Sequence, residues 1–167
     1  RRDDLAVLAS WPDGGPPDAR LAALGARWIG PAGSAPAGSA AHDAHRHAVG
    51  VPDSADIGSD ELLWLETGAD LLDGVSFTKG CYVGQENTAR MHHRDKVRRR
   101  LVPVSIEGDP GAATEVTDAQ GRSCGRLRSR NGDKAIVHLR LEAADGPLFL
   151  GPATVTVRRP DWLVGAW

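Results

Sequence analysis

The residue types with chemical potential crowd into Phe77 to Arg100, which reads FTKGCYVGQENTARMHHRDKVRRR. Gly80 and Gly84 bracket Cys81, Tyr82 and Val83, and glycines so placed let a backbone approach a ligand or adopt a φ that other residues resist. Lys79 and Arg90 carry the charge to hold an anion or to favour a neighbouring thiolate. Cys81 is therefore the candidate nucleophile, redox group or soft-metal ligand, set against the ordinary alternative of a small buried apolar residue. Glu86 with His92 or His93 supplies the remaining types of a thiol-based catalytic set, but linear spacing does not bring them together. Tyr82 could stack on an aromatic ligand and Gln85 could offer a paired amide contact, and each could equally be a satisfied core group. Arg90, His92, His93, Arg94, Lys96, Arg98, Arg99 and Arg100 form a local basic run. That run is either a solvated face or a patch that steers a polyanion: a polyglutamylated cofactor, an acidic protein or RNA phosphates. It holds no interleaved aromatics, which argues against base stacking.

A metal site is not expected. Cys81 has no second cysteine at CxxC spacing. His42, His45 and His47 invite a zinc reading, yet only His42 and His45 share a helical face, and no thiol or carboxylate stands at a supporting offset. Solvated histidines, with Arg46 reaching a carboxylate, are the expectation there.

The elements that must position this stretch are modest. The 167 residues suit one ordinary domain or two small ones, and 41% hydrophobic content allows a modest core. A formal net charge of −2 gives no global attraction to nucleic acid. Two cysteines make no disulfide framework, so a reducing, intracellular setting is expected. No apolar run approaches the about 20 residues that span a bilayer, and no signal peptide is recognisable. Starting at Arg1 rather than Met, the sequence reads as a processed product or a fragment.

Leu5 to Trp11 is long enough for a strand, ended by Pro12, Gly14 and Gly15. Arg20 to Ile29 reads as a helical turn leading into a strand, and residues 30 to 41 as a flexible surface linker. His42 to Val49 is a short helix closed by Gly50 and Pro52. Ser59 offers an N-cap for Glu61 to Leu72, an apolar helical stripe that Gly68 breaks in two. Val75 to Thr78 looks extended. From Leu101 the period changes to two, with apolar residues at 102, 104 and 106. Thr114 to Thr117, Cys124 to Ser129, Ala135 to Leu141 and Ala153 to Arg158 follow as strands, with Asn131-Gly132 a strong hairpin signal. Five such strands predict a small antiparallel barrel or sandwich.

Lys79 to Glu86 (KGCYVGQE) reproduces the Lys-Gly-Cys-Tyr-x-Gly-Gln-Glu hallmark of the YgfZ-type folate-binding family, which acts in iron–sulfur cluster assembly and repair. That family is related to the T protein of the glycine cleavage system, an aminomethyltransferase. The resemblance extends to Asp18-Ala19-Arg20 with Leu24-Gly25 and Arg27, to Arg46 with Gly50-Val51-Pro52, and to Ala89-Arg90 with Lys96 to Leu101. Gly125 to Ser129 and Pro160 to Leu163 also fit its C-terminal module. Ala19 replaces a proline, and Asp95 stands where glycine is common. The match covers nearly all of this chain but only the second half of such a protein.

What the resemblance implies is an α+β fold. Residues 1–100 would be part of a folate-binding, ferredoxin-like α/β domain, and residues 101–167 a C-terminal β-barrel. It implies Cys81 as the functional thiol and Lys79, Gly80, Tyr82, Gly84, Gln85, Glu86 and Arg90 around a tetrahydrofolate-like cofactor, with the preceding half of the protein completing the cavity. The function it implies is a folate-dependent accessory factor, rather than a conventional enzyme, working with iron–sulfur assembly machinery or client proteins. One-carbon transfer of the aminomethyltransferase kind is the second reading. A role in tRNA modification, with weak RNA contact through residues 90–100, is the third. The expected location is the cytoplasm, or the mitochondrial matrix in a eukaryote.

Overall fold

The computed structural model describes residues 3–11, 14–34, 38–93 and 96–167. Pro12, Arg94 and Asp95, which enter the sequence reading, lie outside them. The architecture is the expected α+β: a hairpin and short helices, then a closed antiparallel barrel.

In the first part, β1 (Leu5–Ser10) pairs antiparallel with β2 (Ala26–Pro31), Val7 opposite Ile29. A 3-10 turn at Ala22–Leu24 precedes β2, as the sequence suggests. Helix α1 (Ser39–Val49) starts three residues earlier than predicted, so the end of the supposed linker is helical. Gly50 closes it with φ 86°, and a Cβ there would stand 2.7 Å from Cβ of Pro103. This close approach seats the end of α1 on the barrel wall. Helix α2 (Ser54–Ile57) is capped by Asp53, whose carboxylate accepts from the Ser54 amide at 2.7 Å.

The helix expected over Glu61–Leu72 does not form. Asp60 takes φ 58°, which a helix entry cannot accommodate, and only a 3-10 turn at Trp64–Thr67 follows. Ser59 caps nothing. Val75–Thr78 is irregular rather than a strand.

The barrel runs in the order β3 (Arg99–Glu107), β6 (Lys134–Arg140), β5 (Ser123–Asn131), β4 (Glu115–Asp118), β7 (Leu148–Leu150), β8 (Ala153–Val157), with β8 pairing back to β3. Closure removes every free strand edge. The strand beyond the five expected, β7, has only three residues, too few to show an alternating pattern. Val102, Val104 and Ile106 point into the interior beside Val137, Leu139 and Leu150. Leu101 and Pro103 on the opposite face of β3 are also buried, because the Trp64–Thr67 turn and the end of α1 cover them. Strand alternation therefore gives way to a continuous apolar run where the barrel is covered.

The first part has little apolar core of its own: Leu24, Val51 and Leu72 form its buried cluster. Arginine forks attach it instead. Arg46, 3% exposed, donates to the Val51 carbonyl at 3.0 Å, to Asp56 Oδ2 at 2.6 Å and to Asp43 Oδ1 at 2.7 Å. Arg128 of β5 donates to the Asp56 carbonyl at 2.7 Å and pairs with Glu61 at 2.6 Å. Arg158 donates to the His47 and Ala48 carbonyls, and the Trp162 indole to that of Val49 at 3.3 Å. The last turn of α1 thus finds partners for its orphan carbonyls in the C-terminal part of the barrel segment. Arg100 of β3 grips Asp70 through two hydrogen bonds, 2.7 and 2.8 Å, and donates to the Leu65 carbonyl at 2.9 Å.

The three clustered histidines are structural. His45 stacks on Trp11 with centroids 4.8 Å apart, and its Nε2 meets the Ala23 carbonyl at 3.0 Å. His42 meets the edge of Trp11. His47 is buried rather than solvated, held by the Asp43 carbonyl at 2.8 Å and Ser129 Oγ at 2.8 Å. Arg46 does reach carboxylates, as expected.

Two outcomes follow for stability. Arg46→Met strands the Asp56 carboxylate at 0% exposure, where Oδ1 already lacks a partner. Denaturant unfolding should show a loss of about 3–5 kcal/mol, largely recovered in Arg46→Met/Asp56→Leu. A loss under about 1 kcal/mol would mean that the pair behaves as a solvated one. The second concerns pH. Burial pushes the His138 imidazole down, outweighing the opposite pull of Glu66, whose Oε2 lies 3.4 Å away; burial also lowers His42. A lowered folded value means that the unfolded chain binds the proton first. Stability is then full above the unfolded value of about 6.5 and falls as pH drops below it. Melting temperature should decline from pH 7.5 to 5.5, and His138→Gln/His42→Gln should flatten that decline; an unchanged slope would rule out these two groups as its source.

Candidate functional site

The motif forms an exposed loop ahead of a helix. Gly80 at φ 92° and Gly84 at φ 86° frame it, and a Cβ on either would meet nothing within 4 Å. These glycines are there for backbone conformation, not to avoid a collision. Between them Cys81 is exposed, and Val83 is fully exposed at 103%. Tyr82 folds back: its amide donates to Gln85 Oε1 at 3.0 Å, and the Gln85 amide donates to the Tyr82 carbonyl at 3.3 Å. Gln85 is thus a local lock on the loop. Lys79 lies with its ammonium 5.2 Å from the centroid of the Tyr82 ring, a cation–π contact.

The loop runs directly into helix α3 (Gln85–His93), where the sequence reading has no helix and only the start of a local basic run. The helix is polar almost all round, and Thr88 is its buried residue. No apolar stripe was available to reveal it; the legible signal is the Glu86–Arg90 pair at i,i+4, here 3.5 Å apart and well exposed. His92 stacks on Phe77 with centroids 3.6 Å apart and an 11° interplanar angle, while His93 meets Phe77 edge-on. Phe77 and the end of α3 therefore tie the two ends of the motif together. Thr88 faces inward, and α3 packs on the Trp64–Thr67 turn.

Of the expected site residues, Lys79 and Tyr82 converge with Trp64 and Asp73 on a shallow depression of about 380 Å³. Gly80, Gly84, Glu86 and Arg90 do not line it. Trp64, half-exposed beside Lys79 and Tyr82, stands in the sequence only within the apolar stripe of Glu61 to Leu72. His92 is engaged with Phe77, and among the described residues no group of three or more His, Cys, Asp or Glu is placed to hold a metal ion. The basic run is also divided: Arg100 is buried against Asp70, and so cannot serve a surface patch. No helix among the described residues is long and apolar enough to cross a membrane.

Comparison with known proteins gives the coarse identity of this arrangement. Residues 98–164, which contain the barrel, match the family model described as CAF17, C-terminal beta-barrel domain. Mouse iron-sulfur cluster assembly factor IBA57, mitochondrial, is 40% identical over 131 residues, covering 71% of this chain and 36% of the mouse protein. The human protein of the same name is 37% identical over 130 residues, with the same coverage. The homologue from Mycosarcoma maydis is 48% identical over 73 residues, covering 42% of this chain and 18% of its own length. The chain spans about a third of the length of the mouse and human relatives. These relatives correct two expectations. They are IBA57 factors and do not single out the YgfZ-type branch, and they are mitochondrial proteins, which overturns the cytoplasmic placement. The chain is thus similar, over most of its length, to iron–sulfur cluster assembly factors of the IBA57 kind, and its barrel is matched by the CAF17 C-terminal domain.

Proposed function

We propose that this chain belongs to an accessory factor for iron–sulfur cluster assembly, and that Cys81 is the thiol through which it meets a cluster or a client protein. The observation that carries this reading is the placement of Cys81 on an exposed, glycine-framed loop, beside a fully exposed Val83. A nucleophile serving a small substrate is ordinarily set in a concave site with a base within hydrogen-bond reach. Cys81 instead faces outward, beside the exposed Val83. A thiolate presented in this way can coordinate iron of a cluster in transit, with the cluster as cargo rather than resident cofactor. The similarity to IBA57 assembly factors supports the same reading.

Tetrahydrofolate is part of the proposal only in a restricted form. The depression beside Trp64, Lys79 and Tyr82 offers two aromatic faces and one cation, which suit one ring system and a nearby carboxylate. It does not surround a ligand of that length, since sites for such molecules bury most of the ligand surface. If the cofactor binds, these side chains would stack on and orient its ring; no step of the chemistry is assigned to it.

Cys81→Ser should leave thermal stability unchanged, because the side chain is exposed. In cells lacking the protein, the variant should fail to restore the activity of iron–sulfur enzymes, leaving it at the level of the deletion strain. Full restoration by Cys81→Ser would remove the thiol from the mechanism.

A further inference from the structure

A second polar site lies on the barrel, and none of the motif residues Lys79 to Arg90 lines it. It is a groove of about 370 Å³ walled by Arg99 of β3, Arg126 of β5 and Arg140 of β6, with Thr114, Glu115 and Ser123 along its rim. The register makes the arrangement specific. Arg99 and Arg140 stand directly opposite each other on β3 and β6, and the next outward pair on β6 sets His138 opposite Arg126. Like charges facing each other across strands are unfavourable, so a sheet has no intrinsic reason to stack them.

Six arginines elsewhere among the described residues are tied to carboxylates: Arg20, Arg46, Arg100, Arg122, Arg128 and Arg159 each meet one within 3 Å. Among the described residues, Arg99 and Arg126 have no ion pair or side-chain hydrogen bond, and Arg140 only approaches Glu142 at 4.0 Å. Glu115 stands opposite Arg126 on β4 and offsets one of the three charges, which leaves the groove cationic. The Thr114 and Ser123 hydroxyls add neutral donors at the same surface.

We propose that this groove is a binding site for a small oxyanion carrying at least two negative charges, in phosphate or carboxylate form. A multivalent anion between the guanidiniums converts the unfavourable facing of Arg99 and Arg140 into shared coordination, with planar forks that match either oxygen geometry. The volume accommodates a compact anion. The site stands on its own residues and does not rest on the role of Cys81.

Pyrophosphate and citrate, titrated separately into the full chain at low ionic strength and followed by calorimetry, test this assignment. One saturable site per chain is expected for at least one of them. The preferred probe identifies the site as one for phosphates or for carboxylates. Arg126→Gln and Arg140→Gln should each weaken binding by about tenfold or more. Arg130→Gln, on the same strand but held by the Gly132 carbonyl outside the groove, should leave it unchanged. Circular dichroism and melting curves of the variants show whether each retains the fold, and Arg99→Gln replaces any that does not. Absence of saturable binding for both probes, or equal weakening by Arg130→Gln, would overturn the proposal.

Discussion

Arg46 makes the contact on which the N-terminal part depends. Its guanidinium is nearly inaccessible and is shared among Asp56, Asp43 and the Val51 carbonyl, so it fixes the end of α1, the following chain and α2 in a single arrangement. Removing a charge from water is costly, and such a pair need not add net stability over an apolar core. It does impose geometry, because a planar fork satisfied at both ends tolerates little displacement. With three residues in its buried apolar cluster, the N-terminal part has few other means of fixing a unique position. Arg128 and Arg158 repeat the device from the barrel side, each spanning sequence separations that a local interaction could not.

Arg100 extends the same logic to the candidate site. It binds the Asp70 carboxylate and the Leu65 carbonyl, and so fixes the Trp64–Thr67 turn on β3. Helix α3 then packs on that turn, and the Phe77–His92 stack draws the start of the motif against the end of α3. The exposed loop is therefore held at both ends, with its internal shape set by the Tyr82–Gln85 hydrogen bonds. A loop fixed in this way incurs less ordering cost on binding than an unanchored one would.

Much of the barrel was legible in the sequence because strand period, turn residues and the Asn131-Gly132 hairpin agreed with one another. The turn at Gly132-Asp133 joins β5 to β6 with Asn131 opposite Lys134. What escaped had a physical cause in each case. Strand β7 is too short to display a period, and α3 buries too little to display a stripe. The expected helix at Glu61–Leu72 had the stripe but was broken at its start by the left-handed backbone of Asp60. Arg100 looked like one more member of a basic run, and nothing in local spacing could reveal an aspartate thirty residues earlier as its partner. His47 was hidden in the same way, since its second partner, Ser129, lies in the barrel.

The motif itself was legible as a pattern, while its chemistry was not, and the geometry explains the difference. Gly80, Gly84 and Gln85 serve the loop's own conformation, and Lys79 rests on Tyr82. Residues that build a loop are recognisable from the chain that contains them. A thiol that such a loop presents to the outside has its reactivity decided by the surface that meets it. Eight residues can thus set the internal shape of the loop without disclosing what its thiol does. The arginine groove on the barrel is the opposite case. Its three side chains come from three strands, two of them joined by the Gly132-Asp133 turn, no contiguous pattern announces them, and they come together only through the register that sets Arg99 opposite Arg140 and Arg126 opposite His138.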